Sequence, residues 1–148
     1  MRAHGSRGAL RRVRAWLVAA LVVLCGSVAV PRLHSATAPN TTLLVLGDSL
    51  TWGSNYFAKS QSRLAASGTF NTVVVDGWWS RRIGGIVSTT YSGANTYKKL
   101  TKEGLQPTAV IVALGTNDVL FLSKKRDFAV IIRELMDAIG PRPVVWLN

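Results

Sequence analysis

Four short apolar runs constrain the fold of this 148-residue chain more than any other feature of its sequence. They span residues 43–47, 72–77, 109–115 and 143–148 and are rich in valine, leucine and isoleucine. Polar residues do not alternate with apolar ones inside them, as they would in a strand with one face in water. Such runs are typical of strands that are covered on both faces. They predict a buried parallel sheet.

The segments between these runs have helical spacing. In residues 124–140 the apolar side chains recur at intervals of three and four residues: Phe128, Ile131, Ile132, Leu135, Met136 and Ile139. Asp127 near the start and Gly140-Pro141 at the end are typical helix boundaries. Two further helices are predicted over residues 56–66 and 95–103. Strand and helix therefore alternate, which predicts an α/β domain over residues 42–148, with three layers and helices on both faces of the sheet.

The first 38 residues have a different composition from the rest of the chain. They contain six arginines and no acidic residue, and an unbroken apolar stretch runs from Ala15 to Val30. This is the layout of a secretory signal, and the stretch is shorter than the roughly 20 residues that cross a bilayer as a helix. We expect a cleaved signal peptide and a secreted or cell-envelope protein, with residues 11–30 contacting the export machinery. An uncleaved membrane anchor is the alternative, and residues 35–42 suit a linker.

Charge and cysteine content exclude several classes of partner. The net charge of +11 falls to +5 beyond residue 38, where 12 basic and seven acidic residues remain. Because no basic stripe interleaved with aromatics accompanies this charge, we do not expect nucleic-acid binding. The single cysteine, Cys25, lies in the apolar stretch, so an exported domain has neither disulfides nor a thiolate metal site.

Two glycine-bounded motifs follow predicted strands. Gly47-Asp48-Ser49-Leu50 comes after the first run and Gly115-Thr116-Asn117-Asp118 after the third. Reactive groups collect at the carboxyl ends of parallel strands, and an activated serine needs hydrogen-bond donors for the oxyanion that its attack creates. The alternative is that Ser49 caps a helix and Asn117 satisfies loop backbone.

These two blocks, in this order, resemble the first and third blocks of the GDSL or SGNH hydrolases, a family of serine esterases and lipases. The resemblance covers residues 42–148 and implies a flavodoxin-like sheet, no cofactor or metal, and cleavage of acyl or acetyl esters of small molecules or carbohydrates. It implies that Ser49 is the nucleophile and a backbone oxyanion donor, and that the Asn117 side chain is a second donor. Gly47, Asp48, Gly115 and Asp118 complete the two motifs.

The loop after the second strand departs from the family pattern. The family usually has a glycine in this block, and the nearest register places Ser80 there. The backbone N–H of Ser80 is therefore a candidate third donor, and Gly77, Gly84 and Gly85 are the other candidates. Trp78 and Trp79 could stack on a sugar ring or line an acyl pocket, with core packing as the alternative. Arg81 and Arg82 are predicted to be solvated surface rather than an anion site.

The base of a catalytic triad has no candidate in this sequence. The resemblance implies an aspartate and a histidine three residues apart after a fifth strand, whereas the sequence reaches Asn148 after its fourth. The two histidines, His4 and His34, lie in the signal and the linker. We therefore expect a C-terminally incomplete domain, inactive as it stands. The alternative function is a non-catalytic cell-envelope module that binds carbohydrate or another ligand through Trp78 and Trp79.

Overall fold

A single parallel sheet organises the computed structural model, which describes residues 40–147. Its strands are β1 (Thr42–Gly47), β2 (Thr72–Gly77), β3 (Ala109–Ala113) and β4 (Val144–Trp146), in the order β2-β1-β3-β4. All four predicted strands are confirmed, the last two in shortened form. The predicted signal or anchor, including His4, Cys25 and His34, lies outside the described residues.

Four helices connect these strands: α1 (Ser49–Ala58), α2 (Ser60–Ala66), α3 (Gly93–Lys102) and α4 (Lys125–Ile139), with a 3-10 turn at Thr89–Tyr91. The helices predicted over 95–103 and 124–140 are confirmed to within two residues. The segment predicted as one helix over 56–66 is helical except at Lys59, but it belongs to two helices, α1 and α2, and α1 begins seven residues earlier. The Asp48 side chain accepts a hydrogen bond from the Leu50 N–H and starts α1 at Ser49. Lys59, with φ of 54° in the left-handed region, then separates α1 from α2.

The two faces of the sheet are covered by different helices. On one face, side chains of β1 and β3 pack against α3 and α4, and this cluster includes Leu44, Leu46, Val110, Val112, Ala94, Tyr97, Ile131, Leu135 and Ile139. On the other face, Leu43, Val45 and Val73 pack against Leu64 of α2 and Phe70. This arrangement confirms the predicted α/β class with three layers. Within residues 40–147, no helix is both long enough and apolar enough to span a bilayer.

Candidate active site

The carboxyl ends of the first three strands meet at one edge of the sheet. Gly47 is in register with Gly77 of β2 and with Ala113 of β3, so the loops that follow these strands open on the same side. A Cβ atom at Gly77 would overlap the backbone nitrogen of Trp52, and one at Gly47 would overlap the Thr51 hydroxyl. Because both positions are glycine, α1 can begin directly against the strand ends. We call this edge, with its three loops, the rim.

Ser49 lies at the rim as the first residue of α1. The capping function that we considered for Ser49 belongs instead to the buried carboxylate of Asp48, at 2.9 Å from the Leu50 nitrogen. Within residues 40–147, the Ser49 hydroxyl has no hydrogen-bond partner. Its backbone N–H is one of the unpaired donors of the first helical turn, where the helix dipole favours negative charge.

Asn117 lies in the turn after β3, and its side chain bonds to the neighbouring loop. Its Nδ2 donates to the carbonyl oxygen of Arg81 at 3.0 Å, so it does satisfy loop backbone, the alternative that we had considered for it. An amide nitrogen carries two hydrogens, however, and this bond uses only one of them. The second has no acceptor within residues 40–147.

Ser80 lies in the loop after β2 with φ of 53°, in the left-handed region. Glycine adopts this conformation most readily. The observation agrees with the alignment to the resembling family, which usually has a glycine where this chain has Ser80. The residue is exposed, and its backbone N–H has no acceptor in the described part of the chain. Its assignment as an oxyanion donor stays a prediction, as do those of Ser49 and Asn117.

Arg81 corrects the sequence prediction, because its side chain is only 2% exposed. Its Nη1 donates to the carbonyls of Gly47 at 3.1 Å and Asp76 at 2.9 Å, and its Nε donates to the carbonyl of Thr90 at 2.9 Å. The same guanidinium lies 2.6 Å from the Asp76 carboxylate. The chain after β2 turns back over the strand ends instead of starting a helix, which carries this arginine inward. Arg81 therefore ties the first two loops together.

Asp118 joins the second loop to the third. Its side chain is fully buried, and its Oδ2 accepts the Ile83 N–H at 2.9 Å. Arg82 lies 3.4 Å from Oδ1 and stacks over the Phe121 ring, so the prediction of solvated surface is wrong for Arg82 too. Burial raises the pKa of Asp118, while the Ile83 N–H and Arg82 lower it. Asp118 positions the loops and is not free to act as a base.

The two tryptophans of this loop serve different surfaces. Trp79 packs against Trp52 of α1 with ring centroids 4.5 Å apart. Trp78 instead lines a cavity of about 420 Å³ together with Arg81, Thr90 and Lys99. The aromatic contact of Trp52 was missed from the sequence, although the residue stands two positions after the first motif.

A second cavity, of about 370 Å³, opens between the ends of β1 and β3, and the Ser49 side chain does not line it. It is lined by Asp48, Leu50, Thr51, Leu147 and residues 113–116. Residues 40–147 contain no histidine and no group of three side chains suited to hold a metal ion. The rim thus holds the serine hydroxyl together with backbone and amide groups that can donate hydrogen bonds.

Comparison with known proteins identifies the fold. No protein-family model matches the sequence, and no curated protein is significantly similar to it. Among solved structures, the chain is similar to AlinE4, an SGNH-hydrolase family esterase, with a TM-score of 0.54 and 20% identity over 72% of this chain. It is also similar to a carbohydrate acetylesterase family member from Sinorhizobium meliloti, with a TM-score of 0.51 and 19% identity over 73% of this chain. The match spans 58% of the length of the first structure and 56% of the second. Over this shared part, the chain has the fold of the SGNH-hydrolase esterases.

Proposed function

We propose that this chain carries the nucleophile and oxyanion donors of an exported SGNH-type serine hydrolase that cleaves acyl or acetyl esters. The observation that carries the proposal is the hydrogen-bond network of the rim, in which Arg81 and Asn117 join the loops that hold Ser49 and Ser80. The similarity in fold to esterases supports the same reaction class. Export is supported by the arginine-rich and apolar sequence of residues 1–38.

The chemistry follows from the groups at the rim. The Ser49 Oγ attacks the ester carbonyl while a base takes the hydroxyl proton, and the carbonyl oxygen becomes an oxyanion. The N–H groups of Ser49 and Ser80 and the second amide hydrogen of Asn117 donate to that oxygen. Collapse of the intermediate expels the alcohol, which takes up a proton, and leaves an acyl-serine. Water then releases the acid and restores Ser49.

This reaction needs a base that residues 40–147 do not contain. Asp48 caps α1, and Asp118 is bonded to Ile83 and Arg82, so neither carboxylate is free to accept the serine proton. A carboxylate is also a poor substitute for imidazole near neutral pH. We therefore expect the 148-residue chain to hydrolyse short-chain nitrophenyl esters near background, because the oxyanion donors and binding alone contribute a small part of triad catalysis.

Added imidazole tests the proposal directly, because Ser49 is only partly buried and a small base can reach it from solvent. Imidazole should accelerate nitrophenyl acetate hydrolysis more in the presence of the full chain than in the presence of its Ser49→Ala variant. The variant is the control for the hydrolysis that imidazole causes without the serine. Asn117→Ala should lower the Ser49-dependent rate by about 100-fold, the usual cost of losing one oxyanion donor. Equal rates for the chain and Ser49→Ala at all imidazole concentrations would contradict the proposal. A high Ser49-dependent rate without imidazole would contradict the need for an external base.

A second candidate function is carbohydrate binding without catalysis, and the cavity beside Trp78 favours it. That cavity combines an indole ring with threonine hydroxyls and the Lys99 ammonium group, which suits a sugar. Trp79 is less suited to this use because it packs on Trp52. Retarded migration in polysaccharide-containing gels should be lost in Trp78→Ala and kept in Trp79→Ala. Equal loss in both variants, or in neither, would argue against this site.

A further inference from the structure

Four aromatic side chains form a continuous surface beside the rim, which we call the aromatic ridge: Trp52, Tyr56, Phe57 and Trp79. Trp52 stacks on Tyr56 with ring centroids 5.0 Å apart, and Phe57 packs edge-on against both rings. Tyr56 is 59% exposed, Phe57 78% and Trp79 51%. A folded domain rarely leaves a contiguous apolar surface of this kind in water unless another molecule contacts it.

The charged side chains on the helical segment that holds Trp52, Tyr56 and Phe57 have one sign. No acidic residue occurs between positions 49 and 75, where the charged side chains are Lys59 and Arg63. The Lys59 ammonium group lies 5.6 Å from the centre of the Tyr56 ring, and Arg63 follows one helical turn later. Aromatic side chains bordered by basic ones are typical of protein surfaces that contact bilayers containing anionic lipids.

The packing of the rings argues against a sugar as the partner of this surface. Sugar binding uses an open aromatic face, whereas the faces of Trp52 and Tyr56 are turned toward each other at an angle of 9°. A lipid interface needs no open ring face, because exposed edges and polar tips of tryptophan and tyrosine fit the headgroup region.

We propose that the aromatic ridge docks on the surface of a bilayer that contains anionic lipids. Trp52 and Ser49 are on the same helix, three residues apart, so docking of the ridge holds the rim close to the lipid surface. This inference goes beyond the proposed hydrolysis and does not depend on it, because a chain without a base still has the ridge.

Hydroxyl-radical footprinting of the full chain tests the proposal at single positions. A position-specific measurement is required because the apolar residues 15–30 can bind lipid by themselves. With vesicles of phosphatidylcholine and phosphatidylglycerol, oxidation of Tyr56 and Phe57 should fall at least threefold. Oxidation of residues 125–139 in α4, on the opposite face of the sheet, should stay unchanged. Vesicles of phosphatidylcholine alone should protect the ridge less.

Matched variants give the second measurement. Phe57→Ser should raise the lipid concentration needed for half-maximal protection of Tyr56 roughly tenfold, the effect of one buried phenyl group. Lys59→Gln should raise it about fivefold on anionic vesicles only. Val130→Ser, at a 61% exposed position of α4, should change nothing. Unchanged oxidation of the ridge in vesicle-bound chain would overturn the proposal. Protection that grows with protein concentration without vesicles would overturn it as well, in favour of a second copy of the chain.

Discussion

Replacing Arg81 by methionine should cost the fold about 4 kcal/mol or more, because the buried guanidinium donates hydrogen bonds to three backbone carbonyls. Methionine keeps most of the volume but cannot donate to the carbonyls of Gly47, Asp76 and Thr90, each of which loses a charged donor at 2.9–3.1 Å. Such bonds are worth about 1.5–3 kcal/mol each. Urea unfolding of the full chain, followed by circular dichroism, measures the loss. Arg81→Lys should recover only part of it, because an ammonium group cannot reach all three carbonyls.

A double-mutant cycle separates the carbonyl contacts from the ion pair. The Asp76 carboxylate is 28% exposed, so solvent stabilises it when Arg81 is removed, and its unpaired charge should be a minor part of the cost. Adding Asp76→Asn to Arg81→Met should therefore restore less than about 1 kcal/mol. Restoration of most of the lost stability would refute this reasoning, because it would show that the unpaired carboxylate, and not the carbonyls, caused the loss.

Three further predictions concern single positions. Tyr97→Phe should raise the unfolding free energy by about 1 kcal/mol, because the buried Tyr97 hydroxyl has no hydrogen-bond partner within residues 40–147. A lower unfolding free energy for the variant would show that the hydroxyl does make a hydrogen bond. Gly77→Ala should lower the free energy of unfolding by about 2 kcal/mol or more, because its Cβ would meet the Trp52 backbone. Gly53→Ala, which has open space inside α1, should raise it by about 0.5–1 kcal/mol. Equal effects of the two variants in urea unfolding would contradict the close approach at Gly77. The pKa of Asp118 lies above its ordinary value of 3.8, so the folded state holds this proton more tightly than the unfolded state. The unfolding free energy of the chain minus that of Asp118→Asn should therefore decrease as the pH rises from about 4 through that raised pKa. Urea unfolding of both proteins at several pH values measures this difference, and an increase with pH would contradict a raised pKa for Asp118.

The sequence predicted the sheet well because the signal for buried strands is local. An uninterrupted run such as that at residues 72–77 indicates a strand without knowledge of its neighbours, and the amphipathic period of α4 is equally local. The start of α1 was missed because polar and small residues follow Ser49. The side chain of Asp48, which begins that helix, could equally have belonged to a turn.

Arg81 and Asp118 could not be assigned from sequence because their contacts are distant along the chain. The Gly47 carbonyl is 34 residues from Arg81, and the Ile83 N–H is 35 residues from Asp118. Nothing in the local pattern distinguishes Arg81, which is buried, from an arginine in water. The nearest sequence signal for its ion pair was Asp76, five residues earlier. An aspartate at that distance from an arginine is too common to identify an ion pair. The two motifs were visible in the sequence, whereas the contacts that join their loops were not.

The long sequence separation of the rim contacts also affects the order of folding. Ser49 is synthesised about seventy residues before Asn117, and the bond from Asn117 to Arg81 closes a loop of 36 residues. Contacts of this range form only when the strands between them have paired. During synthesis, α1 can form around Ser49 before Asn117 has been added to the chain. The rim around Ser49 is therefore completed only when β3 joins the sheet, in the same cooperative step that completes the core.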